Sequence, residues 1–189
     1  MERRVAIRPG ERSDAFRALS VAERSNSAER RQWLGLAAVA VAAVAADQIT
    51  KHVVASSISL DHAVKLVGPL SIRHVQNSGI AFGLFASATA AVIVLTTVAV
   101  GWMLFFFARS GSRHPVLPAA LGLLIGGSVS NLVDRVRLGH VTDFLDFGWW
   151  PAFNLADTFI VVGVAILLAT LVAADSRPKR PKRHLDVAR

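Results

Sequence analysis

The stretch NLADTFIVVGVAILLATLVAA, residues 154–174, decides the fold. From Thr158 to Ala174 it contains no charged side chain. A helix rises about 1.5 Å per residue, so about 20 apolar residues cross the roughly 30 Å of hydrocarbon in a bilayer. A helix on a soluble core shows an apolar stripe with a polar face opposite. Residues 158–174 have no polar face, so they read as a membrane span, and the span begins beside an acid, Asp157.

Working outward, three further runs have the same character. Gln32–Thr50 carries one acid, Asp47, near its far end; Ala86–Ala108 and Pro115–Val133 carry no charge. The expected fold class is therefore a mainly α membrane protein with four transmembrane helices, at about 32–54, 86–108, 115–134 and 154–174. They form one domain, 32–174, between a basic disordered tail at 1–31 and a second basic tail at 175–189. The front tail lacks an apolar h-region and so does not read as a cleavable signal peptide. The chain has no cysteine, which excludes disulfides, thiolate metal sites, a cysteine nucleophile and acylation of the chain itself as a lipoprotein on cysteine.

The net charge of +8 would suggest nucleic acid in a soluble protein. Here it follows topology. The front tail has eight Lys or Arg, the 109–114 loop two and the segment after Asp175 six, all on one side if the helices alternate. The other side has five: Lys51, Lys65, Arg73, Arg135 and Arg137. The positive-inside rule then makes both termini cytoplasmic and turns 51–85 and 135–153 outward. Membrane lipids, not nucleic acid, are the expected charged partner. Within 51–85, Ala63–Val75 is rich in β-branched residues and broken by Gly68-Pro69, which predicts a hairpin. Trp149 and Trp150 suit an interfacial belt.

Between the tails there are six acids: Asp47, Asp61, Asp134, Asp143, Asp146 and Asp157. This topology puts all six on the outer side or at the outer ends of helices. A carboxylate at a helix centre in hydrocarbon costs at least about 2.5 kcal/mol, so acids near that environment usually serve a pathway, a relay or a reaction. The bland alternative is buried ion pairing that holds the bundle together. Asp47 and Lys51, spaced i,i+4, can form such a pair or contact a substrate. Asn77-Ser78-Gly79 reads either as a loop-to-helix turn or as backbone bordering a ligand groove. Gly122, Gly126 and Ser130 recur every fourth residue, a small-residue packing seam. Asn131 and Arg135 share one helix face, with Asp134 beside them.

Asp143 and Asp157 are the expected reactive pair. Asn154, after Pro151, is a plausible N-cap, which puts Asp157 in the first turn, where free N–H groups attract a carboxylate. Asp143 lies in an apolar setting, Val141-Thr142-Asp143-Phe144-Leu145, and burial there would raise its pKa. Two carboxyls in contrasting environments suit acid–base hydrolysis: one takes a proton from water, the other gives one to a carbonyl oxygen. No H-E-x-x-H is present and the six histidines are scattered, so metal hydrolysis fits worse. A dyad of Lys51 with Ser71 or Ser78 has no support from spacing.

Five segments carry a resemblance. They are Asp47-Gln48-x-x-Lys51, Asn77-x-Gly79-x-Ala81-Phe82-Gly83, Gly127-x-x-x-Asn131-x-x-Asp134-Arg135, Gly139-His140-Val141-x-Asp143-Phe144 and Phe153-Asn154-x-Ala156-Asp157. In this order, over about 32–174, they resemble the bacterial lipoprotein signal peptidases (signal peptidase II). That resemblance implies an intramembrane aspartyl endopeptidase of the bacterial inner membrane. Such enzymes remove the signal peptide of prolipoproteins by cutting on the N-terminal side of a diacylglyceryl-modified cysteine. It implies Asp143 and Asp157 as catalytic residues, supported by Asp47, Lys51, Asn77, Gly79, Asn131, Asp134, Arg135 and Asn154. It further implies a small extracytoplasmic antiparallel β-cradle, a short amphipathic extracytoplasmic segment, inhibition by globomycin-type peptides, and no metal or organic cofactor. Two departures stand out: Ser128-Val129-Ser130 where the family often has Ala and Gly, and a long front tail. A transporter would instead spread its polar residues through the membrane depth, and a scaffold would tolerate Asp→Asn at both positions.

Overall fold

The computed structural model describes residues 9–78, 89–109 and 115–175, with backbone alone over residues 9–25 and 174–175. Its elements are α1 (Pro9–Ser57), β1 (Ala63–Val67), β2 (Leu70–Asn77), α2 (Thr89–Arg109), α3 (Leu117–Leu138), β3 (Val141–Asp146) and α4 (Leu155–Asp175). Among the described residues, four helical stretches are long and apolar enough to cross a membrane: Asn26–Ser57, Thr89–Arg109, Leu117–Leu138 and Leu155–Ala173. The front tail reads from sequence as mostly disordered with room for a short surface helix; α1 begins at Pro9 and continues without a break into the first span. Its Ala, Glu, Arg and Leu content is favourable for a helix, and no proline interrupts it after Pro9.

The α3 helix is the centre of the bundle, packed against α1, α2 and α4. It is by far the most buried of the four, whereas α2 and α4 turn Val94, Leu95, Val98, Val161, Leu168 and Leu171 outward. Apolar side chains on an outer face are what lipid contact demands. Where α3 meets its neighbours, small residues let backbones approach. A Cβ on Gly122 or Gly126 would run into Val39 and the Leu36 carbonyl, or into Ala43 and the Ala40 carbonyl, of α1. On another side Gly127 faces the Ala156 carbonyl and Ile160 of α4. At one end Leu36, Phe107, Leu121, Leu124 and Ile125 form the core, with Trp33 edge-on to Phe107 at 4.7 Å. At the other end α3 stops on Gly139, whose φ of 79° is left-handed and whose N–H returns to the Arg135 carbonyl at 3.1 Å.

The expected hairpin is β1–β2, turning through Gly68 at φ 57°. With β3 it makes a three-stranded antiparallel sheet in the order β1-β2-β3. The β2–β3 register sets Val75 opposite Asp143 and Asn77 opposite Val141. His74 fastens β2 to the end of α1 through its Nδ1 and the Ile58 carbonyl, 2.9 Å apart. After β3 the chain loops back so that Phe153 bridges Leu145; Leu145 donates to the Phe153 carbonyl at 2.8 Å and Phe153 to the Leu145 carbonyl at 3.0 Å. That bridge brings Asn154 and the start of α4 against β3. The described residues contain no further helix, and 79–88 lie outside them.

Candidate active site

Asn154 is the N-cap of α4 and joins the two aspartates. Its side-chain oxygen accepts the Asp157 N–H at 2.9 Å, while its own N–H donates to Asp157 Oδ2 at 3.2 Å. This reciprocal capping box satisfies backbone donors that a helix start leaves free. The remaining donor, Nδ2, gives to Asp143 Oδ1 at 2.7 Å and is 3.1 Å from Asn131 Oδ1. Asn154 is fully buried, so none of these bonds competes with bulk water. One side chain thus holds both carboxyl groups, one on β3 and one on α4.

Each carboxyl has a second amide partner. Asn77, at the end of β2, donates to Asp143 Oδ2 at 2.9 Å. Asn131, on α3, donates to Asp157 Oδ1 at 2.8 Å. Burial pushes the Asp143 carboxyl up from its ordinary 3.8 to about 6. The Asn77 hydrogen bond opposes that rise and the nearby Asp157 charge adds to it.

Behind the pair stands a buried ionic cluster. Lys51 Nζ lies 2.7 Å from Asp47 Oδ2, 2.8 Å from Asp134 Oδ2 and 2.8 Å from Asn131 Oδ1. By engaging the Asn131 oxygen, the ammonium turns that residue's NH₂ toward Asp157. Asp47 also accepts the Ala156 N–H at 2.9 Å, which ties the end of the first span to the first turn of α4. The expected i,i+4 pairing of Asp47 and Lys51 is therefore present, and it reaches two further helices. Two residues beyond the expected set take part. Gln48 donates to Asp134 Oδ1 at 2.7 Å and is 3.0 Å from Ser130 Oγ; Ser130 donates to Asp47 Oδ2 at 2.7 Å. Ser130 was legible as part of the small-residue seam, but a buried hydroxyl there needs a partner, and that need was the available signal.

Of the expected site residues, the structure brings Asp47, Lys51, Asn77, Asn131, Asp134, Asp143, Asn154 and Asp157 into one connected network. Arg135 is half-buried at its edge, with Nη1 3.4 Å from the Asn131 carbonyl. Gly79 and the rest of its motif through Gly83 lie outside the described residues. Ser71 is hydrogen-bonded to the Asp146 carbonyl at 3.2 Å, so it is not paired with Lys51. Among the described residues no three His, Cys, Asp or Glu side chains are grouped as metal ligands. An apolar crevice of about 330 Å³, lined by Trp150, Phe153, Thr158, Val161 and Val162, opens onto Asp157.

The sequence profile of the family described as signal peptidase (SPase) II matches residues 39–173. The lipoprotein signal peptidase of Symbiobacterium thermophilum is 38% identical over 144 residues, covering 74% of this chain and 95% of that protein. That of Syntrophotalea carbinolica is 39% identical over 145 residues, covering 72% and 90%. A solved structure described as a bacterial membrane enzyme, determined by the in meso method at 2.3 Å, superposes with a TM-score of 0.72 at 27% identity, over 79% of this chain and 94% of that one. Similarity along most of both sequences, on the same four-helix framework, shows that the chain belongs to the signal peptidase II family of membrane peptidases.

Proposed function

We propose that the protein removes signal peptides from prolipoproteins, cutting on the N-terminal side of a diacylglyceryl-modified cysteine, with Asp143 and Asp157 as the catalytic pair. The observation that carries this is the clamp of both carboxyls by one buried residue, Asn154. Asp157, held by the Asn131 amide and the Asn154 N–H, takes the proton from water. Asp143, whose burial favours the acid form, protonates the scissile carbonyl oxygen. The water oxygen bonds to the carbonyl carbon and the C–N bond then breaks, the amine leaving with a proton.

The reading extends to surroundings. The crevice beside Asp157 is apolar enough to accept acyl chain, and each buried CH₂ contributes about 0.8 kcal/mol. The excess of Lys and Arg in the tails and the 109–114 loop supports cytoplasmic termini and an extracytoplasmic site. Membrane lipids surround the bundle, and globomycin-type peptides would compete for the site. The test is cleavage of a lipidated precursor by purified protein, with and without a chelator. Wild type is expected to cut in both conditions, and Asp143→Asn and Asp157→Asn to fold and insert without cutting. Full activity in either variant would remove the assignment.

A further inference from the structure

A second binding feature lies along the α1–α3 seam, apart from the crevice at Asp157. At the end of the bundle that holds the carboxyl cluster, Gln48 and His52 of α1, Arg137 of α3 and Thr142 of β3 line a recess of about 210 Å³. Further along the same two helices, Val41, Val44 and Ala45 of α1 and Ile125 and Val129 of α3 line a furrow of about 330 Å³ with no polar side chain in its walls. Positions 41, 44, 45, 48 and 52 fall on one face of α1, since neighbours on a helix surface are three or four residues apart. Recess and furrow therefore lie in line along the α1–α3 groove, and Val41 to His52 spans about 16 Å of helix. The rim faces outward: Val41 is 68% and Leu138 55% exposed.

Charge selects the occupant. Lys51, in the recess wall, is held by two acids, Asp47 at 2.7 Å and Asp134 at 2.8 Å, and Asp134 is further engaged by Gln48, so none of these side chains is free for a ligand. Arg137 and His52 are exposed, and among the described residues neither has a hydrogen bond or ion pair. An unpaired guanidinium beside an imidazole, beyond the end of an apolar furrow, matches a hydrocarbon chain whose phosphate carries a net negative charge, and favours it over one whose phosphate is balanced by its own ammonium.

We propose that this groove binds an anionic glycerophospholipid of the surrounding membrane, with its phosphate against Arg137 and His52 and one acyl chain in the furrow of Val41, Val44, Ala45, Ile125 and Val129. The site is independent of the catalytic assignment. The test uses the full chain, equilibrated with mixed vesicles of phosphatidylglycerol and phosphatidylcholine in equal amounts, extracted in mild detergent and weighed by native mass spectrometry. Wild type is expected to retain phosphatidylglycerol over phosphatidylcholine by roughly fivefold, as one guanidinium near an anionic head implies. The double variant Arg137→Gln, His52→Gln should lose that preference. Val44→Trp, which fills the furrow, should lower retention of phosphatidylglycerol with Arg137 and His52 intact. Inorganic phosphate should leave the lipid bound. Equal retention of the two lipids by wild type, a preference that survives the double substitution, or displacement by inorganic phosphate would each overturn the proposal. The wild-type comparison decides by itself, so a variant that fails to fold leaves the test standing.

Discussion

Asp143 is the residue whose chemistry is most exposed to experiment. Its carboxyl is raised to about 6 by burial, and Asn77 is the hydrogen bond that most restrains the rise. If Asp143 supplies the acid, initial rates of cleavage fall as pH climbs through about 6, and Asn77→Ala displaces that limb to higher pH because a donor to the charged form is gone. Stability has the same sign. Between the ordinary 3.8 and about 6 the native state keeps a proton that the unfolded chain has released, so stability declines as pH rises through that window. Asp143→Asn flattens this part of a thermal unfolding profile measured against pH. Lys51 offers a second test. Lys51→Met leaves Asp47 and Asp134 buried without their cation and is expected to cost about 3–5 kcal/mol, read by thermal unfolding in detergent. Adding Asp47→Asn and Asp134→Asn restores much of it. The acids themselves were legible, because charge at the end of an apolar run is conspicuous. Spacing marked Asn154 as a cap and the resemblance placed it among the supporting residues; its grip on Asp143 depends on a strand that sequence spacing does not place.

At the scale of elements, the seams of α3 govern where the helix ends sit. Gly127 faces the carbonyl of Ala156, the residue whose N–H is held by Asp47, so added bulk there displaces the start of α4. Gly127→Ala is expected to destabilise by about 1–3 kcal/mol and to lower cleavage along with melting temperature. Gly101→Ala, where nothing stands within 4 Å of the new methyl group, serves as the silent control. The seam Gly122-Gly126-Ser130 could be read from its four-residue spacing, and the structure sets its two glycines against α1. Gly127, one residue out of step, showed no such period. The bridge between Leu145 and Phe153 was equally hidden, because it is made by backbone groups that every residue carries. Helix character ahead of residue 32 was obscured by the charge of that segment, which resembles the composition of a disordered tail.

For the whole molecule, if the four candidate spans of the described residues all cross, the tails fall on one side of the membrane and the sheet on the other. The absence of native cysteine gives a clean background for testing this. Ser13→Cys and Ala188→Cys are expected to react with a membrane-impermeant maleimide only from the cytoplasm, and Lys65→Cys, on the exposed strand β1, only from outside. The reverse pattern would contradict the orientation. The apolar runs made the number of spans plain from sequence; how their ends meet was not, since it depends on contacts between positions eighty or more residues apart, such as Lys51 with Asn131 and Asp47 with Ala156. That long reach has a consequence for biosynthesis. Until α4 emerges, Asp47 has no peptide N–H to hold and Asn131 has no Asp157 to meet, so under the proposed assignment a nascent chain with three helices inserted is inert. The protease switches on only with its last span, and half-made copies leave their neighbours uncut.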